Sequence, residues 1–170
     1  MIIGIGGVSR SGKTSLARRL ARHFRKQGLA PVILHQDDFA FPEEAIPKTR
    51  GKVDWEHPES IDFERFRQAI TTHSKTADIV IAEGLMALYD GLCNALFDKC
   101  FFVQISKSTF LERKVNDLRW GREPDWYIEH IWESFLRYGQ PGPGLPGLYT
   151  LSGEKPVDWE GVVGFLGETS

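Results

Sequence analysis

Residues 7–14, Gly-Val-Ser-Arg-Ser-Gly-Lys-Thr, match G-x-x-x-x-G-K-[ST] at every position. A short apolar run from Ile2 to Ile5 precedes them and ends in Gly6-Gly7. After them Leu16, Ala17, Leu20, Ala21 and Phe24 recur at helical spacing as far as Lys26, with Gly28 as a stop. Strand, glycine loop and helix in that order constrain the fold more than any other feature. Small residues let successive backbone N–H groups turn inward on phosphate oxygens, and the helix N-terminus adds partial positive charge. The expectation is a nucleoside triphosphate site built from Gly7, Ser9, Ser11, Gly12, Lys13, Thr14 and Ser15. In such a site the lysine reaches the β- and γ-phosphates and the threonine hydroxyl ligates Mg2+.

The same alternation continues down the chain. Strands are predicted at 31–35, 78–82, 101–105 and 148–151, the run at 78–82 being apolar without a break, as in a strand covered on both faces. Helices are predicted from Ser60 (with Asp62 and Glu64 in the first turn), from Ser108 or Thr109 towards Leu118, and over 126–138 and 159–166. Residues 36–58 are polar, carry three prolines and read as a long loop. The expectation is one α/β domain over residues 1–170, a parallel sheet with helices on both faces. Ligands in such folds sit beyond the carboxyl ends of the strands.

Composition removes other classes. Lys and Arg number 21 against 23 Asp and Glu, a net charge of −2, without the basic surplus of a nucleic-acid binder. A chain that is 41% hydrophobic and 26% charged is neither disordered nor fibrous. No stretch approaches the ~18 apolar residues of a membrane span, and the first residues show no charged segment ahead of a long apolar one, so a soluble, untargeted chain is expected. Cys93 and Cys100 form neither a disulfide framework nor a metal-ligand pattern, which fits reduced thiols in the cytoplasm. The partner expected is a small molecule, not nucleic acid or membrane, and the protein is expected to be a monomer or a homodimer.

Acidic residues at the ends of the next strands narrow the chemistry. Asp37-Asp38 follows the second strand, where a carboxylate can accept the proton of an attacking hydroxyl, although a solvated turn has the same composition. Glu83 ends the third strand, placed to hold Mg2+ with Thr14. Arg113, Arg119 and Arg122 lead into a break before Pro124; arginines on a flap can clamp a phosphoryl group, and they also suit the end of a helix.

With the cradle at 7–14, His35-Gln-Asp-Asp-Phe39 and Ile81-Ala-Glu-Gly84, the chain resembles the nicotinamide riboside kinase branch of the uridine kinase-like P-loop kinases, over nearly its whole length and including Trp132 to Tyr138. The resemblance implies the P-loop NTPase fold of nucleoside and nucleotide kinases, with five parallel strands. It implies Mg2+-dependent transfer from ATP to a ribose 5′-hydroxyl, most simply that of nicotinamide riboside. On matching positions it implies that Asp37 is the general base and that Lys13, Thr14 and Glu83 serve phosphate and metal. The acceptor would bind between a loop at 37–58, including Phe39, Trp55 and Glu56, and a lid at 119–127. Within the lid, Arg119 or Arg122 would offset phosphoryl charge and Trp126 or Tyr127 would stack on the base. Glu56 stands where the family more often carries Asp. The Gly-Pro-rich run at 140–147 replaces the region where such kinases usually contact adenine.

Other readings remain open at this level: a uridine or cytidine kinase, a kinase of another hydroxylated metabolite such as pantothenate, or a nucleotide switch. The Asp37-Asp38 pair and the lack of an [N/T]-K-x-D guanine-reading motif weigh against a switch.

Overall fold

The computed structural model describes residues 1–118, 121–142 and 145–167. In chain order its elements are β1 (Ile2–Gly7), α1 (Lys13–Lys26), β2 (Pro31–His35), β3 (Lys48–Thr49), β4 (Lys52–Val53), α2 (Phe63–His73), β5 (Ile79–Glu83), α3 (Gly91–Asn94), β6 (Lys99–Gln104), α4 (Lys107–Val115), α5 (Asp125–Tyr138), β7 (Leu148–Ser152) and α6 (Trp159–Leu166). Five strands form one sheet in the order β2-β5-β1-β6-β7, every pairing parallel. This is the expected sheet.

The two faces of the sheet carry separate apolar clusters. Ile3 and Ile5 of β1 point to one face, against Leu16, Leu20 and Phe24 of α1 and Val162 and Leu166 of α6. On the other face Phe66 and Ile70 of α2, Phe110 of α4 and Ile131 and Phe135 of α5 pack over Val80, Ala82 and Phe102. Gly4 and Gly6 point the same way, where a Cβ would come within 2.7 Å of the Phe97 ring and 2.9 Å of the Leu88 side chain. Full burial of a side chain such as Phe24 or Phe66 contributes about 1.5–3 kcal/mol, so both layers are needed to hold β1 at the centre.

Three local expectations are corrected. α2 begins at Phe63, capped by Asp62 Oδ1 accepting from the Arg65 N–H at 2.9 Å. Ser60 instead ends a short 3-10 turn, fully buried, with its hydroxyl donating to the Trp55 carbonyl at 2.9 Å. α4 is capped by Ser106, whose Oγ accepts from the Thr109 N–H at 3.2 Å, so it starts before Ser108 or Thr109; it ends at Val115. Residues 36–58 are not plain loop. They hold a 3-10 turn over Gln36–Phe39 and the β3–β4 hairpin, whose tip at Arg50-Gly51 has positive φ at both residues, 52° and 79°. Two residues with positive φ are what a tight type I′ hairpin requires.

Candidate active site

β1 runs into the cradle at Gly7, whose φ of 147° and near neighbours exclude a side chain: a Cβ there would lie 2.5 Å from the Val103 carbonyl and 2.8 Å from Ser11 Oγ. The loop closes on the Val8 carbonyl, which accepts from the Ser11 N–H at 3.1 Å and from Lys13 Nζ at 3.0 Å. Gly12, at φ 108°, precedes α1. Ser11 Oγ is buried without a hydrogen-bond partner among the described residues. A buried hydroxyl left open beside a helix N-terminus and a lysine suits phosphate oxygens. Next to the loop, Ser15 and Arg19 of α1, Val103, Leu151, Gly153 and Val157 line a groove of about 250 Å³.

Arg113 does not reach into the site as a flap residue. Its guanidinium donates to the Arg10 carbonyl at 3.1 Å and the Gly153 carbonyl at 2.8 Å, strapping the cradle to the turn after β7.

The acids lie where the strand ends predict. The β2–β5 register pairs His35 with Glu83. Glu83 is 5% exposed, and its Oε1 receives the Thr14 hydroxyl at 2.8 Å and meets His35 Nδ1 at 2.7 Å. Thr14 and Glu83 are hard oxygen donors side by side, the type Mg2+ takes together with phosphate and water. Asp37 lies on the 3-10 turn after β2 and opens on the cleft. Crowding by protein raises its carboxyl above the usual range; the Lys13 charge opposes this, while Glu83 and Asp38 add to it. Burial lowers the ammonium of Lys13, against the pull of Glu83, Asp37 and Glu56. Phosphate lysine and acids therefore share one electrostatic neighbourhood.

On the acceptor side, burial pushes Glu56 up to about 8, Asp37 adds to the shift and Lys114 opposes it. Trp55 beside it is 39% exposed. Phe39 packs on the Phe66 ring at 5.2 Å and anchors the turn that carries Asp37. Trp126 and Tyr127, adjacent at the start of α5, have different surroundings. Trp126 is half-buried with the Arg50 guanidinium 5.1 Å from its ring centre. Tyr127 is 2% exposed; its hydroxyl donates to the Val53 carbonyl at 3.3 Å and Lys52 Nζ lies 3.9 Å from its ring centre. Tyr127 thus belongs to the packed wall, and Trp126 beside it is buried less completely against the same core cluster. Arg122 is exposed, next to Glu123, which is held by Lys114 at 2.7 Å; Arg119 lies outside the described residues.

Sequence reasoning missed His35 as a partner of Glu83, the Lys114–Glu123 pair, and the link from Asp54 to His130 at 2.8 Å. His35 stood next to a recognised motif. The others join residues far apart in the chain, with no local signal.

A parallel sheet ordered in this way, with the glycine cradle on its central strand and an acid closing the neighbouring strand, has close counterparts. No family model matches the chain. It is 26% identical over 156 residues to nicotinamide riboside kinase 1 of Homo sapiens, covering 82% of this chain and 76% of that one. It is 27% identical over 144 residues to the uridine kinase of Leuconostoc citreum, covering 69% of each. A solved structure, described as that of a possible uridine kinase from Bacillus stearothermophilus, superposes with a TM-score of 0.58 at 20% identity, covering 88% of both chains. The fold is that of the P-loop kinases. The likeness to nicotinamide riboside and uridine kinases extends over most of the chain, and the relatives named here are themselves kinases.

Proposed function

We propose that the chain transfers the γ-phosphoryl group of ATP to the 5′-hydroxyl of a ribonucleoside, with nicotinamide riboside as the leading acceptor. One observation carries the reading: Lys13 feels the charges of Asp37 and Glu56, Asp37 feels that of Lys13, and Glu56 feels that of Asp37, so the lysine, the candidate base and the candidate ribose acid lie around one cleft. The ATP phosphates would lie in the cradle and its base in the groove beside Arg19 and Val157. Asp37 takes the proton of the 5′-hydroxyl as that oxygen bonds to the γ-phosphorus; the bond to the bridging oxygen breaks and ADP leaves. A carboxyl raised above its usual range is a better base for this step. Lys13, with Arg122 or Arg119, offsets charge on the phosphoryl group. Thr14 and Glu83 would hold Mg2+, which when bound would supply further neutralisation of phosphate charge.

One feature favours a cationic base ring: the rings of Trp126 and Tyr127 carry the cationic groups of Arg50 and Lys52 on their faces. Aromatic faces that accept cations suit a pyridinium. The second reading, a uridine or cytidine kinase, is supported by the likeness to a uridine kinase. We place the protein in the cytoplasm: both cysteines are free and buried, and no helix among the described residues is long and apolar enough to cross a membrane.

The test is ADP release with Mg-ATP and a panel of nucleosides and vitamins. Stimulation by nicotinamide riboside supports the lead, and stimulation by uridine or cytidine supports the second reading. Slow hydrolysis indifferent to every acceptor overturns both.

A further inference from the structure

The site described so far gives the buried carboxylate of Asp54 no role. Asp54 is 3% exposed, and its carboxylate gathers three hydrogen bonds: from the Thr49 hydroxyl at 2.8 Å, from the Glu56 N–H at 3.2 Å and with His130 Nε2 at 2.8 Å. Its backbone is held as well, the Asp54 N–H on the Pro47 carbonyl at 2.8 Å and the Asp54 carbonyl under the His57 N–H at 3.3 Å. Removing a carboxylate from water costs several kcal/mol unless its lone pairs are satisfied. Here they are satisfied by three different parts of the chain: the hairpin, the residues after it, and α5.

We propose that Asp54 and His130 form a positioning pair that locks the acceptor loop onto α5, so that the carboxylate of Glu56 and the ring of Trp126 are set relative to each other. Tyr127 and His130 lie three positions apart on α5, so one face of the helix presents both groups. The Tyr127 hydroxyl takes the Val53 carbonyl and His130 takes the next residue's side chain, two fastenings on adjacent residues of the loop. Trp126 precedes the first of these on the helix; Glu56 follows two residues after the second, its own N–H on the same carboxylate oxygen that His130 meets. Neither Asp54 nor His130 needs to touch the acceptor to decide where the ribose-facing and base-facing groups stand. The inference rests on the proposed acceptor site between 37–58 and the start of α5.

The experiment uses the full chain with Mg-ATP and two acceptor probes, nicotinamide riboside and uridine. His130→Leu should raise the acceptor KM by about tenfold, the scale of a small misplacement of binding groups, while the ATP KM stays near wild type. His130→Gln, which can keep a donor at the Nε2 position, should recover most of the loss. Thr49→Val removes one hydrogen bond from the same carboxylate without touching α5; it should shift the acceptor KM in the same direction and speed hydrogen exchange of the 54–57 amides. Thr49→Val also serves if His130→Leu does not fold. An unchanged acceptor KM in both variants, an equal rise in both KM values, or no recovery with His130→Gln overturns the proposal. Glu56→Ala separates its failure from that of the underlying reading. If Glu56→Ala raises the acceptor KM and His130→Leu does not, the positioning role alone fails. If Glu56→Ala has no effect either, or wild type phosphorylates neither probe, the acceptor site is wrong and the inference falls with it.

Discussion

Thr14 and Glu83, 69 positions apart in the chain, share a hydrogen bond of 2.8 Å, the hydroxyl donating to a carboxylate oxygen that also faces His35. Two oxygens that a metal would bridge are thus already adjacent, one at the start of α1 and one at the end of β5. Replacing either should leave the fold intact and weaken the hold on Mg2+. For Glu83→Gln and Thr14→Val the Mg2+ concentration giving half-maximal ADP release is expected to rise by about 10- to 100-fold. Titration of MgCl2 at saturating ATP reads this directly, and calorimetry of ADP binding with and without Mg2+ gives a second measure independent of turnover.

Asp37→Asn keeps the shape of the side chain and removes its basicity. If Asp37 takes the acceptor proton, kcat falls by about 10²- to 10⁴-fold while the ATP KM changes little. A kcat within twofold of wild type on the true acceptor would assign the base elsewhere.

On the proposed reading, Glu56 bears on both acceptor binding and stability. Its carboxyl keeps its proton up to about 8 in the fold but releases it near 4.5 when unfolded. Between those values the folded state binds more protons than the unfolded one, so the contribution of Glu56 to stability declines as pH rises through that window. Glu56→Gln has no proton to release. Its thermal midpoint should exceed that of wild type by an amount that grows from pH 4.5 to about 8; a relief of about 1 kcal/mol corresponds to about 2–4 °C in a chain of this size. The same variant should bind the acceptor less well. Parallel melting curves at several pH values and acceptor KM measurements check both halves.

Glu154 behaves in the opposite sense. Hydrogen bonds from the Ser106 hydroxyl and from Thr109, then from the Ser106 N–H, draw its carboxyl down to about 2. The folded pKa is depressed, so the stabilisation is present above the unfolded value of 4.5 and is lost as pH falls from there towards about 2. Glu154→Gln should therefore melt below wild type at neutral pH, and the two curves should converge in acid. A difference that persists at pH 2 would mean that charge is not its source.

The phosphate half was readable because its chemistry is local. Gly7 to Thr14 carry their own geometry, and Glu83 follows from ending an unbroken apolar strand. The acceptor half was not. The β3–β4 hairpin has strands of two residues each, too short for any apolar alternation, and is held by groups such as Thr49 on Asp54. Arg113 has the sequence setting of a flap arginine and becomes a strap because β7 ends beside it, which no local pattern announces. Tyr127 could have been placed from sequence: with Ile128, Ile131, Ser134 and Phe135 it continues the buried stripe of α5.

The strand order β2-β5-β1-β6-β7 has a consequence for how such a chain can change. Asp37, Glu83 and the cradle hang from β2, β5 and β1, three adjacent parallel strands of one sheet. The hairpin lies outside that sheet and is tied to α5 by side-chain links, Tyr127 to the Val53 carbonyl and His130 to Asp54. Substitutions there can redraw the choice of acceptor while the transfer machinery keeps its shape, so a lineage built on this sheet can acquire a new substrate without passing through an inactive ancestor.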